Sequence, residues 1–394
     1  MKISLPTPDA DQRMHSACLT LALRDEILAE GPMPFSRWME RCLYSPGLGY
    51  YSAGSTKFGA AGDFITAPES GPLFAQCVAT SVLPAFAALD GRRCFLELGA
   101  GSGAFAEAAL IELEFRNSAP DEYAILEPSA DLRERQRERL RAALPAGLFS
   151  IVGWLDRPPT QNWQGVLFAN EVIDALPVTR FAINDGKVFE EHVALDGERF
   201  AMRDVEASEQ LVACVRGLEK RLGRDFNDGY RSEIALQLSS WIATVTETLE
   251  RGIALFVDYG HTRDDYYGSE RSSGTMQCHY QHRVHADALA LPGLQDITAS
   301  VDFSSVADAA VAAGLKVMGY ASQAQFLLGN GLVQLHQRHA EDADASEIYE
   351  LSRQIKRLTL PDQMGERFQA LVLGRSIDAA LLPGWMDIDR SARL

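Results

Sequence analysis

Arg92-Arg93-Cys94-Phe95-Leu96-Glu97-Leu98-Gly99-Ala100-Gly101-Ser102-Gly103 is the stretch whose reading decides the fold. An apolar run ends in an acid and breaks into alternating glycines, which predicts a buried strand, a tight turn and the start of a helix. Closely spaced glycines accept positive φ and let another molecule approach the backbone, so the turn reads as a cofactor loop. Gly99-x-Gly101-x-x-Ala104 also satisfies the dinucleotide fingerprint, and a dinucleotide-dependent oxidoreductase is one reading of it. Glu97 separates the two. A carboxylate at the strand's end, pointing into the crevice, repels a pyrophosphate but suits the amino and sulfonium cations of S-adenosyl-L-methionine (SAM).

Working outward, Glu122-Tyr-Ala-Ile-Leu-Glu127 reads as the next strand, and its last acid can grip both ribose hydroxyls. From 92 to 183 the pattern alternates: a strand to Glu97, helix 103–116, a strand to Glu127, helix 129–143, strand 148–152 and strand 165–170. Alternation of this kind predicts an α/β fold, a doubly wound Rossmann-like parallel sheet whose ligands sit at the carboxyl ends of the strands. Glu97, Glu127 and Asn170-Glu171 all fall there.

Upstream, residues 13–45 carry a helical pattern on Leu19, Leu23, Ile27 and Leu28, broken at Gly31-Pro-Met-Pro34 and resumed from about Ser36 as N-cap. Glycine-rich segments around 44–51 and 58–69 read as a lid or pocket wall. Downstream, Val178–Val193 reads as a hairpin around Asn184-Asp-Gly186. Helices are expected at 207–222 and 238–250, a fifth strand at 252–260, a loop-like stretch from 261 to 300, helix 306–313, strand 315–320, helices between 322 and 358, and a last strand at 371–374. The expected division is a helical segment and lid (1–90), the first part of a SAM-binding core (91–183), an inserted substrate or partner module (184–250) and the second part of the core with a helical excursion (251–394).

The chain has 394 residues, 46% hydrophobic and 23% charged, with a formal net charge of −17. Such a charge argues against a nucleic-acid partner held through its phosphates, which demands a basic footprint. The six cysteines show no Cys-x-x-Cys spacing, no apolar signal core stands at the amino terminus and no run reaches membrane-span length. The expectation from these features is a cytoplasmic protein without a membrane span. The oligomeric state is left open, a homodimer included.

Ala169-Asn-Glu-Val-Ile-Asp-Ala-Leu-Pro177 carries the clearest chemistry outside the glycine loop. Glu171 and Asp174 are three apart, which on a helical turn places both on one face, able to clamp a guanidinium through its planar fork of donors. An acid pair favoured by the helix dipole is the bland alternative. Asp258, ending the fifth strand, adds an acid near the same rim. His279, His282 and His285 fall at spacings of three but without helical context or a carboxylate at ligand spacing, so no metal is expected; His282 is instead a candidate for the substrate pocket, as a neutral imidazole.

Gly62-Asp-Phe-Ile-Thr-Ala-Pro-Glu69, Glu97-Leu-Gly-Ala-Gly-Ser-Gly103, Glu127-Pro-Ser129 with Gln136, Ala169–Pro177, Asp258-Tyr-Gly260, Gln295-Asp-Ile-Thr298 and Met364-Gly-Glu-Arg-Phe368 together resemble the MidA family, the group of the mitochondrial complex I assembly factor and protein arginine methyltransferase. The resemblance implies a class I SAM-dependent methyltransferase that modifies a protein arginine, with a respiratory-complex subunit as acceptor. It implies a cofactor region at Asp63, Thr66, Gly99, Gly101, Gly103, Glu127 and Asn170, beside Glu97, and an acidic catalytic loop at Glu171 and Asp174. The family pattern departs at Gln76, Ser102 and Ser300, which motivates an alternative: a SAM-binding assembly or scaffolding factor with vestigial catalysis.

Overall fold

The computed structural model describes residues 5–52, 66–378 and 382–394. It contains two compact units, one made of Met1–Phe64, Asp174–Gln237 and His261–Asp302, the other of Ile65–Ile173, Leu238–Gly260 and Phe303–Leu394. The expected module at 184–250 is thus divided between the units after Gln237.

The second of these, the cofactor unit, is built on strands β1 (Cys94–Leu98), β2 (Glu122–Leu126), β3 (Val152–Leu155), β4 (Trp163–Asn170), β5 (Leu249–His261), β6 (Lys316–Ser322) and β7 (Phe368–Arg375). They lie in the order β3-β2-β1-β4-β5-β7-β6. Strands β1 to β5 pair in parallel, whereas β7 runs antiparallel to both β5 and β6. This is the doubly wound α/β sheet the alternation predicts. Chain order reverses between β1 and β4, the switch point at which such sheets open a crevice. The strands are continuous apolar runs, as in Val166-Leu167-Phe168-Ala169, because a parallel sheet is covered on both faces and has no side for a polar alternation. Aromatic stacking fixes neighbours: Phe95 on Tyr123 at 4.9 Å and Phe105 on Phe168 at 4.1 Å.

Three elements differ from expectation here. The third strand lies at Val152–Leu155, since Pro145 starts a helical turn over Ala146–Phe149 where the strand was expected. The segment after Asn170 forms no helix: Glu171 takes φ 53°, outside helical space. The helix beginning at Leu238 ends at Thr246, and β5 starts earlier, at Leu249.

The other unit opens with helix α1 (Ala10–Glu30), capped reciprocally by Asp9, whose carboxylate accepts from Gln12 N at 2.8 Å while Gln12 Oε1 accepts from Asp9 N at 3.1 Å. A second helix, Phe35–Tyr44, begins one residue before the expected cap Ser36, because Met33–Pro34 is drawn into strand pairing with Val193 and His192. The Asp185-Gly186 hairpin forms as predicted, between Thr179–Asn184 and Lys187–Asp196, and Arg199–Glu206 and Arg231–Ile234 extend that antiparallel sheet. Arg180 is buried there between two acids, donating Nε to Glu191 at 2.7 Å and Nη1 to Glu233, while Arg231 reaches Asp204 at 2.8 Å and also Glu191. The stretch 261–300, expected as loop, contains a small sheet of Gln277–Tyr280 between Arg283–His285 and Asp296–Thr298.

Candidate functional site

The carboxyl ends of β1, β2 and β4 carry Glu97, the glycine turn, Glu127 and Asn170 of the predicted cofactor residues, and β5 carries Asp258, predicted for the substrate pocket. β1 delivers Glu97, only 3% exposed, with Tyr123 Oη of β2 donating to its Oε2 at 2.6 Å. Burial raises the Glu97 carboxyl to about 8, partly offset by the Tyr123 hydrogen bond. Its sequence position was legible; its phenol partner was not, because Tyr123 reads as an ordinary strand residue until the register sets Glu97 against Ile125.

Beyond Leu98 the chain turns through Gly99, Gly101 and Gly103 at φ 64°, 53° and 84°. A side chain at Gly99 would be strained twice, by that φ and by a Cβ 3.1 Å from Val172 Cγ2. Gly103 caps the helix Ala104–Phe115 in the left-handed conformation. Ser102, where the family pattern departs, bonds Glu69 and accepts from Arg139 Nη1 at 3.1 Å, and Arg139 Nε donates to Glu107 at 2.7 Å. Thr66 is half-buried, its carbonyl accepting from Ser70 Oγ at 3.2 Å; Asp63 lies outside the described residues.

Glu127, one residue past β2, is buried. Its Oε1 accepts from Ser129 N at 2.9 Å and its Oε2 from Gln136 Nε2 at 3.3 Å. Gln136 also donates to Gly101 O at 2.9 Å and accepts from Trp154 Nε1 at 3.0 Å, so one fully buried amide joins the glycine turn, the ribose-side acid and β3. No role for Gln136 followed from the sequence alone, since its partners lie on three separate elements.

At the end of β4, Asn170 Nδ2 donates to Glu171 Oε1 at 3.2 Å, and Glu171 N donates to Val257 O at 3.0 Å. Asp258, expected in the substrate pocket, is buried beneath this loop: its Oδ2 accepts from Val172 N at 3.2 Å and Ile173 N at 3.0 Å, and its Oδ1 from Tyr259 N at 2.9 Å. It supplies the acceptor for two successive loop amides.

In the other unit Asp174 is buried, its carbonyl accepting from Ala299 N at 3.0 Å. Tyr44 Oη donates to Ala175 O at 2.8 Å, and its ring stacks on Tyr51 at 5.6 Å, whose hydroxyl lies 3.0 Å from both oxygens of Asp296. His282 stands exposed at φ 60° in the two-residue turn between strands ending at Tyr280 and starting at Arg283. His282, expected in the substrate pocket, thus lies at a hairpin tip, its spacing from His279 and His285 being that of a turn. Among the described residues no group of three His, Cys, Asp or Glu side chains could hold a metal ion, and no helix is long and apolar enough to cross a membrane.

A glycine-rich turn between two buried strand-end acids suits a cofactor that brings cations and hydroxyls, not one that brings phosphates. Three comparisons agree. Residues 77–321 match the family described as "Putative S-adenosyl-L-methionine-dependent methyltransferase". The chain is 31% identical to the protein arginine methyltransferase NDUFAF7 homolog, mitochondrial, of Drosophila melanogaster, covering 95% of this chain and 89% of that one, and 28% identical to the Danio rerio protein arginine methyltransferase NDUFAF7, mitochondrial, covering 88% and 84%. A crystal structure from Burkholderia thailandensis bound to S-adenosyl-homocysteine superposes with a TM-score of 0.93 at 41% identity, covering 99% of this chain and 100% of that one. The mitochondrial names correct the cytoplasmic expectation. Scattered cysteines bear on redox state, and they do not separate one reducing compartment from another.

Proposed function

From the premise that the chain belongs to the S-adenosyl-L-methionine-dependent methyltransferase family and is such an enzyme, we propose that its acceptor is an arginine side chain of a protein. The observation that carries this reading is the near full-length likeness to enzymes named protein arginine methyltransferases. It favours catalysis over a binding-only scaffold, and the finer acceptor, a respiratory-complex subunit, rests on the resemblance to the MidA family alone.

In this reading Gly99, Gly101 and Gly103 present backbone to the methionine portion of SAM, Glu97 receives its amino group, and Glu127 takes the ribose hydroxyls, with Asp63, Thr66 and Asn170 completing the cofactor region. Bound SAM supplies an electrophilic methyl carbon on a sulfonium. A guanidinium is charged at any working pH, so the protein's contribution is orientation and charge: the carboxylates of Glu171 and Asp174 accept its N–H groups and aim one nitrogen at the methyl. As the N–C bond forms and the S–C electrons pass to sulfur, one carboxylate takes the nitrogen's proton.

The test is transfer of a labelled methyl group from SAM to proteins of a cell extract, followed by mass spectrometry of the labelled band. Methylarginine is the expected product. Label confined to lysine or to small molecules would reject the acceptor class.

A further inference from the structure

Gln136 stands on the inward stripe of the helix Ala130–Ala143, one turn from Leu132 on one side and from Leu140 on the other, and it shares their burial. An amide buried between leucines costs free energy unless its donors and its acceptor are met. Here the partners that meet them also dictate which way it faces. Trp154 Nε1 can only donate, whereas the Gly101 carbonyl and an ionised Glu127 can only accept. The amide oxygen therefore takes Trp154 at 3.0 Å, and the two hydrogens of Nε2 go to Gly101 O at 2.9 Å and Glu127 Oε2 at 3.3 Å. Glutamate has no donor for the last two partners, and methionine meets none of the three.

We infer that Gln136 is a positioning residue for the cofactor: it holds the Glu127 carboxylate in the attitude that receives the ribose, with Gly101 and Trp154 as the anchors of its amide. The inference rests on the assignment of the ribose to Glu127. The terminal torsion of a glutamate is broad, so a bond to one oxygen sets the plane of the carboxylate loosely and a bond to each oxygen sets it firmly. Ser129 N holds Oε1 at 2.9 Å, from the capping residue of the same helix, and Gln136 holds Oε2. A carboxylate offers about four acceptor sites, so both bonds are compatible with a ribose on the same acid. The stem of Gln136 also lies against the last glycine of the turn, where a Cβ on Gly103 would come 3.6 Å from its Cα and Cγ.

Calorimetric titration of the full chain with S-adenosyl-L-homocysteine, and with an analogue lacking both ribose hydroxyls, tests the role. The ratio of the two affinities reads the ribose contact and needs no methyl acceptor. Gln136→Met and Gln136→Glu should each cut the wild-type ratio by at least about fivefold, the effect of one side-chain hydrogen bond. Gln136→Glu keeps the length and the acceptor for Trp154, and serves alone should Gln136→Met not fold. In Glu127→Ala the ratio should already be lost, and adding Gln136→Met should change it no further. A side chain that only fills the core would weaken both ligands alike when replaced and leave the ratio standing. A ratio lost in Glu127→Ala but kept in a folded Gln136 variant overturns the positioning role; a ratio kept in Glu127→Ala takes the ribose from that acid and overturns the inference with it.

Discussion

Tyr123 on β2 donates its phenolic hydrogen to Glu97 on β1 across 2.6 Å, inside a part of the sheet that is closed to water. Burial raises the Glu97 carboxyl from 4.5 to about 8. An unfolded chain loses this proton near 4.5 and the folded chain near 8, so between those values the folded state holds a proton that the unfolded state lacks. The Glu97 contribution to stability is therefore fully present below the lower value, falls as pH rises through the window, and levels off above it. Thermal melts across the window should show a shallower decline for Glu97→Gln than for wild type; parallel profiles would show that Glu97 does not titrate this way.

The same carboxyl couples to the cofactor. Arrival of the SAM ammonium favours the ionised form, so binding near neutral pH should release a proton. Calorimetric titrations in two buffers of different ionisation enthalpy would detect the release in wild type and find none in Glu97→Gln. Buffer-independent heats in wild type would place the ammonium elsewhere.

The cofactor loop itself is open to a direct test. Valine at Gly101 sets a β-branched side chain at φ 53°, a strain of roughly 1–2 kcal/mol, where the cofactor must approach backbone, so Gly101→Val should abolish SAM binding. Glu127→Ala removes charge-assisted hydrogen bonds of about 1.5–3 kcal/mol each and should weaken SAM at least about tenfold with the fold intact. Undiminished affinity in Glu127→Ala would take the ribose away from that acid.

What the sequence made legible follows from range. The strands of the cofactor unit are runs such as Val166–Ala169, buried on both sides and therefore apolar throughout, and the Asp185-Gly186 turn carries its own positive φ angles. The turn at Gln281-His282 has equal geometry without that signal, and its hairpin went unread. Glu171 was misplaced on a helix because what shapes its loop is Asp258, 85 residues beyond Ile173. The acids around Arg180 come from two other strands, and no local pattern announces them.

That buried cluster makes its own prediction. Arg180, between Glu191 and Glu233, is the cation that compensates two buried carboxylates, and Glu233 is already raised by burial despite it. Arg180→Ala takes the cation from Glu233 and leaves Glu191 with Arg231 alone, and should cost about 3–5 kcal/mol, read as a lower denaturation midpoint. Arg180→Met with Glu191→Gln and Glu233→Gln should recover much of that loss. A single substitution with wild-type stability would mean that Arg231 alone suffices.

Glu171 holds a left-handed backbone at φ 53°, a conformation that costs a non-glycine residue on the order of 1–2 kcal/mol. The bond from Glu171 N to Val257 O and the grip of Asp258 on the next two amides keep it there. A residue chosen only for stability at that position would be glycine, which adopts the angle without strain. In the proposed mechanism the glutamate stands there for its carboxylate. Glu171→Gly should leave the melting temperature unchanged or slightly higher while methyl transfer falls by about a hundredfold or more, the order expected when a positioning and proton-accepting group is removed. Glu171→Gln keeps the shape and the strain but loses the charge, and should also lose turnover with SAM affinity preserved. If Glu171→Gln transfers methyl groups at the wild-type rate, the carboxylate has no part in the chemistry and the acidic loop is a structural turn.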